Sequence, residues 1–133
     1  MFASLRLRLR SVAMTGIGRW TVVALDCPDP PALAAFYAVV TGRPIAHTDD
    51  DWVQLGGDGV TLAFQLAPDH QPPEWPSADR PQQLHLDFDV DDLDVAEQQV
   101  LALGARKAQF QPDPGFRVYL DPAGHPFCLV LAD

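Results

Sequence analysis

Apolar and polar positions run through the same succession of periods twice along the chain. In TVVALDCPDPPALAAFYAVVTGR, from Thr21, a strand-like run gives way to an acidic turn, and then Leu33, Phe36, Tyr37 and Val40 recur at helical spacing. Asp29 stands where a helix needs an N-cap, Pro30 and Pro31 suit its first turn, and Gly42 ends it. LHLDFDVDDLDVAEQQVLALGAR, from Leu84, repeats the order at an offset of 63 residues. There Asp92 opens the helix, Leu93, Ala96, Val100 and Leu103 form the apolar stripe, and Gly104 stops it. Strand-sized runs follow each helix: near 44–47, 52–55 and 60–66 in the first half, and near 107–111, 116–120 and 127–131 in the second. Gly-Gly-Asp-Gly at 56–59 and Asp-Pro-Ala-Gly at 121–124 supply the hairpin turns.

Each half therefore reads β-α-β-β-β, and the fold class expected is α+β, with two βαβββ modules combining into a curved mixed sheet and helices outside. A half of this size is marginal alone, so one domain spanning 19–133 is expected, with modules of about 19–66 and 84–133. APDHQPPEWPSADRPQQ, residues 67–83, has five prolines and no periodicity. It reads as a linker long enough to form a rim over a site.

Composition narrows the function classes. The 133 residues carry eighteen Asp and Glu against nine Lys and Arg, a net charge of −9. Three of the cations, Arg6, Arg8 and Arg10, alternate with Leu in an acid-free start. The rest holds six basic and eighteen acidic residues, a net −12. So acidic a body repels phosphate backbones, and nucleic acid is excluded as a partner. The start, residues 1–18, is expected to be a mobile extension rather than a membrane or nucleic-acid arm, with Met14 as a second candidate initiator. No run approaches eighteen apolar residues, and the start has no apolar signal core, so neither a membrane span nor a secretory leader is expected. Cys27 and Cys128 make no disulfide framework and no CxxC pair, which fits a reducing, cytoplasmic setting.

The two modules, the helix with Asp29, Phe36 and Tyr37, the strand His85–Asp92 and the closing DPAGHPFCLVLAD together resemble the vicinal oxygen chelate superfamily, which includes glyoxalases, extradiol dioxygenases and bleomycin-resistance proteins. The similarity covers roughly residues 19–133. It implies four metal-ligand positions, on the first and last strand of each module, and these fall on Val22, Gln65, His85 and Cys128. Valine has no lone pair, neutral Gln is a weak ligand, and a thiol in place of a carboxylate moves the preference from hard cations toward Zn²⁺ or Cu. No cofactor is expected on that count, with His85, Gln65 and Cys128 left as weak candidates for a divalent metal.

Strand parity sets His85, Asp87 and Asp89 on the face opposite Leu84, Leu86, Phe88 and Val90, and Thr61, Ala63 and Gln65 opposite Leu62, Phe64 and Leu66. A sheet face carrying His85, Asp87 and Gln65 is best explained as a solvated ligand cleft. The candidate ligand-binding residues are His85, Gln65, Cys128, Asp87, Trp52 and Tyr119, with Val118 as the alternative to Tyr119 on the wall. Trp75, in the linker, could also stack on a ligand. His85 with Asp87 could act as a general base with its acidic neighbour, or the pair could simply hydrogen-bond a ligand or solvent. His47 and His125 read as surface residues, Cys27 as a filler. Three functions stay open: a metal-independent small-molecule binding protein, expected to be a homodimer and favouring a cationic or hydrogen-bonding ligand; a divalent-metal lyase, isomerase or dioxygenase on a vicinal-oxygen substrate; and, behind these, an inert structural module that partners another protein. Whether the chain is an enzyme is left undecided.

Overall fold

A computed structural model of the chain describes residues 16–133; the Leu-Arg alternation of 5–10 and the expected extension up to residue 15 lie outside the described residues. The element order is β1 (Val22–Cys27), α1 (Pro30–Thr41), β2 (Ile45–Thr48), β3 (Trp52–Leu55), β4 (Thr61–Leu66), β5 (Leu86–Val90), α2 (Leu93–Ala102), β6 (Arg106–Lys107), β7 (Phe116–Leu120) and β8 (Pro126–Leu131). Both modules are βαβββ units. The strands form two four-stranded mixed sheets, β1-β4-β3-β2 and β5-β8-β7-β6, each keeping its ladder within one module. The first and last strands of each module, β1 with β4 and β5 with β8, pair in parallel, and the other pairs are antiparallel.

The caps follow the sequence chemistry. The Asp29 carboxylate accepts from the Ala32 amide at 3.2 Å, and Gly42, at φ 72°, closes α1 in the left-handed region that a side chain would resist. Asp92 accepts from the amides of Asp94 and Val95. Leu33, Phe36 and Tyr37 on α1, and Leu93, Ala96 and Val100 on α2, are buried with Phe64, Phe127 and Leu129 in one core that joins the modules.

A buried polar link ties the halves inside that core. Tyr37, fully buried, donates its hydroxyl proton to Asp121 at 2.7 Å, and Asp121 is 1% exposed. The other Asp121 oxygen accepts from the amides of Ala123 and His125, so the carboxylate shapes the turn that leads into β8. Burial and the neighbouring Asp121 charge push the Tyr37 phenol well above its ordinary range.

One strand is shorter than its sequence suggests. The run expected near 107–111 is a two-residue strand, Arg106–Lys107, after which the chain turns away. Gln111 then substitutes a side chain for the ladder: its amide nitrogen donates to the carbonyls of Ala108 and Val118, and its oxygen accepts from the Val118 amide. Among the described residues no helix is long and apolar enough to cross a membrane.

Candidate functional site

The outward face of the second sheet carries the chemistry. Leu86, Phe88 and Val90 turn toward the core, as alternation requires, and Asp87 and Asp89 are exposed on the other side. His85 stands immediately before β5, and its Nε2 lies 3.2 Å from Asp87 Oδ1. Register brings in the next strands: Asp87 pairs with Cys128 on β8, and Cys128 pairs with Val118 on β7. One row across the sheet thus reads Asp87–Cys128–Val118. Donor atoms of His85, Asp87 and Cys128 all lie within 4.8 Å of one another, and among the described residues they form the one such group of three.

A cavity of about 190 Å³ adjoins this group, walled by Trp75, Phe116 and Val118 with His85 and Cys128 at its base. Trp75 comes from the proline-rich segment 67–83, which folds over the second sheet and packs on Ala108, Val118 and Cys128. Trp75 also stands against Phe110, with ring centroids 5.8 Å apart. The segment is held from its other end by Pro72, which lies so close to Gly124 that a Cβ on that glycine would come within 2.5 Å of it. His70 donates from Nε2 to the Ala123 carbonyl at 2.9 Å, since a carbonyl can only accept.

Cys128 is buried, and that burial, with the Asp87 carboxylate beside it, pushes its thiol up to about 11. At neutral pH it is a protonated, apolar wall atom rather than a nucleophile. Cys27 is likewise buried and pushed up to about 11, which matches its reading as a filler.

The first sheet is chemically different at the matching places. The counterpart of Asp87 at the 63-residue offset is Ala24, and Ala24 pairs with Ala63, which pairs with Gln54. The corresponding row is Ala24–Ala63–Gln54. Gln65, expected to match Cys128, pairs instead with Asp26 and with Trp52, two residues further along β4 on the same face. Gln65 and Trp52 therefore neighbour each other on the first sheet, with Trp52 donating its indole N–H to Gln54 at 3.1 Å, apart from the His85 cavity wall.

Tyr119 requires a correction. Val118 pairs with Cys128 and shares its face, so alternation turns Tyr119 to the opposite side. It is fully buried there, stacked on Phe127 at 5.6 Å, and its hydroxyl donates to Glu97 at 2.8 Å. Glu97 in turn contacts Lys107 at 2.9 Å, and these partners hold its carboxyl below the usual range. Val118, the named alternative, is the residue on the wall. His47 is exposed and pairs with Asp49 at 2.8 Å, whereas His125 is half-buried and donates to the Asp26 carbonyl. Phe116, Gln82, Pro112 and Pro126 complete the cavity wall. No local sequence signal marks them, because only the fold of the linker and the β7–β8 register bring them together.

The family's four-position metal set does not fit this chain, because the first module offers Val22, which has no lone pair, and neutral Gln65, which the ladder pairs with Asp26 and Trp52. A three-donor arrangement of His85, Asp87 and Cys128 does fit in outline. Tetrahedral ligands about 2.0–2.3 Å from an ion sit roughly 3.3–3.8 Å apart, so small side-chain rotations would close the observed spacing. The Cys128 thiol would have to lose its proton to take part, against the burial and the Asp87 charge that raise it.

The sequence profile of the glyoxalase-like domain matches residues 22–130. Solved structures share the fold at low identity. A glyoxalase/bleomycin resistance protein/dioxygenase family enzyme from Burkholderia phytofirmans is 18% identical, with a TM-score of 0.67, covering 84% of this chain and 97% of its own. A glyoxalase-related enzyme from Fulvimarina pelagi is 18% identical, with a TM-score of 0.64, covering 87% and 89%. A bleomycin-binding protein from Streptomyces verticillus, solved with copper(II)-bleomycin, is 15% identical, with a TM-score of 0.54, covering 90% and 100%. No curated relative matches the sequence.

Proposed function

The chain belongs to the glyoxalase-like domain family, within the vicinal oxygen chelate superfamily, and from that premise we propose that it binds a small molecule on the outward face of its second sheet without a resident metal. The observation that carries this reading is the asymmetry of the two modules. His85, Asp87 and Cys128 converge in one, and Ala24 and Ala63 occupy the matching row of the other. A site with ligands from one module alone resembles a polar floor under an aromatic wall more than a metal cage. The wall of Trp75 and Phe116 suits a flat apolar group, and the Asp87 carboxylate and His85 ring suit a cationic or hydrogen-bonding substituent on it. At about 190 Å³ the cavity is smaller than the 300–1,000 Å³ typical of whole-ligand sites. It would seat one ring of a larger ligand, with the remainder lying along the open sheet. The neutral Cys128 thiol supports binding rather than covalent chemistry. In this reading the protein acts in the cytoplasm as a homodimer, sequestering its ligand.

A thermal-shift screen of cationic aromatic compounds tests this. Binding that is lost in both His85→Ala and Trp75→Ala supports it. Hits that survive both substitutions would place the ligand elsewhere.

A second reading rests on the same three donor atoms lying within 4.8 Å. A divalent ion held by His85, Asp87 and Cys128 would leave an open position and supply Lewis-acid polarisation to a substrate oxygen. Here the residues of this chain would serve as ligands, and Trp75 and Phe116 would orient the substrate and exclude water. Metal-dependent turnover abolished by His85→Ala would favour it.

A further inference from the structure

We propose that a second cavity bordered by Trp75, at the β6 end of the outward face, binds a flat aromatic monoanion of the arene-carboxylate class, with Arg106 as its charge partner. This cavity, about 630 Å³, falls in the 300–1,000 Å³ range of whole-ligand sites. Trp75, Pro76, Ala108, Phe110 and Leu120 form its wall together with Arg106. Register places the guanidinium. Arg106 pairs with Leu120, two residues on from Val118, so alternation sets both on the outward face that carries Val118 and Cys128. Lys107, next along β6, pairs with Tyr119 on the opposite face, where its ammonium meets Glu97 at 2.9 Å. The charge directed to the cavity is therefore that of Arg106.

The wall selects for shape and for charge. Trp75 and Phe110 stand with ring centroids 5.8 Å apart and their planes tilted by 40°. Phe110 is 54% exposed, and the turn that presents it is fixed by the Gln111 amide on the carbonyls of Ala108 and Val118. A ring this open adds little to the core and offers a π face, already held in place, to a flat partner. Residues 16–133 hold six basic residues against eighteen acidic ones. This wall nevertheless carries Arg106 and Lys107 and, among the described residues, no Asp or Glu. Elsewhere acids intrude: Asp87 and Asp89 border the groove along α2, and Asp26 and Asp79 the cavity beside His125. An anion is thus best accommodated beside Arg106, whose planar fork meets a carboxylate with two parallel N–H···O bonds. The acid excess of the body and the nearby Glu97 repel a second negative charge, which favours a carboxylate over a phosphate. The cavity shares the Trp75 ring with the His85 cavity but takes a ligand of the opposite sign, so it stands without the reading given to His85 and Asp87.

Titration calorimetry of the full chain with 2-naphthoate tests the proposal, beside the neutral 2-naphthylmethanol and the dianionic 2-naphthyl phosphate. Trp75 is left in place because it serves both cavities. Arg106→Gln removes the charge, Arg106→Lys keeps it, and Phe110→Leu removes the aromatic face. Arg19→Gln removes one exposed cation that does not line the cavity. The expected result is one naphthoate per chain, bound at least about tenfold more tightly than the alcohol and weakened about tenfold or more by Arg106→Gln. Arg106→Lys should restore part of that loss, Phe110→Leu should weaken binding about threefold or more, and Arg19→Gln should leave it unchanged. No naphthoate binding, equal affinity in the wild type and Arg106→Gln, or equal affinity for the alcohol would overturn the site. Tighter binding of the phosphate, lost in Arg106→Gln, would overturn the carboxylate assignment. Either this titration or the screen of cationic aromatics can fail without the other, since the variants that decide them are different.

Discussion

Replacing Tyr37 with Phe removes one oxygen from the centre of the molecule and leaves the packing in place. The ring stays stacked on Phe64 at 5.7 Å and edge-on to Phe36 at 4.9 Å, so no cavity opens beyond the hydroxyl itself. What is lost is a 2.7 Å hydrogen bond to a carboxylate that is 1% exposed. One oxygen of Asp121 keeps the amides of Ala123 and His125, and the other is left without its donor. A hydrogen bond to a buried charged group is worth about 1.5–3 kcal/mol. Out of a total stability of roughly 5–15 kcal/mol, and at roughly 3–5 °C per kcal/mol for a chain of this size, the melting temperature should fall by about 5–15 °C. Chemical denaturation with Asp121→Asn as a second variant provides the assay. The Asn variant should cost less, since the tyrosine oxygen can still meet a partner there. A Tyr37→Phe loss below about 0.5 kcal/mol would refute the account of this bond as the polar tie between modules.

Three further outcomes follow from the same structure. Stability should decline as pH rises from about 9 toward 11. Cys27 and Cys128 are raised from near 9 to about 11 in the folded chain, so the unfolded state loses those protons first; each thiol contributes a slope of at most roughly 1.4 kcal/mol per pH unit, and pH-dependent melts of C27S/C128S should weaken the decline at its lower end, before the raised Tyr37 phenol adds its own. In a Cys27→Ser background, alkylation of Cys128 at pH 7 should be slow and should accelerate in Asp87→Asn, which removes the charge that holds the proton; equal rates would separate Asp87 from the thiol. Gly124→Ala should destabilise by more than about 1 kcal/mol, because φ there is +90° and the new Cβ would meet Pro72; exchange of the 67–83 segment should rise, and an unchanged segment would show that Pro72 does not anchor it.

Local chemistry made much of this fold legible. Asp29, Asp92 and Gly42 act at helix ends as their types require, and the alternation of Leu86, Phe88 and Val90 against Asp87 and Asp89 is visible in the sequence itself. What depends on pairing between distant strands was not. The resemblance implies Gln65 as the counterpart of Cys128, whereas the ladder sets Ala63 opposite Ala24 and moves Gln65 to Asp26. Pro114 and Gly115 obscure where β7 begins, so the sequence leaves Tyr119 or Val118 on the wall; the pairing of Val118 with Cys128 fixes the parity in favour of Val118. Gln111 looks like a strand residue and instead satisfies the backbone of Val118 through its side chain. The linker's proline content marked it as irregular, and the burial of Trp75 against Cys128 and Val118 is a tertiary contact that no local pattern encodes.

The most direct test of a binding face without a resident metal is elemental analysis of protein purified without chelators or a metal-affinity column, with His85→Ala alongside. The account predicts substoichiometric metal, equal in the two proteins. One equivalent of zinc, copper or another divalent ion in the wild type, lost in His85→Ala, would contradict it and make His85, Asp87 and Cys128 a metal centre.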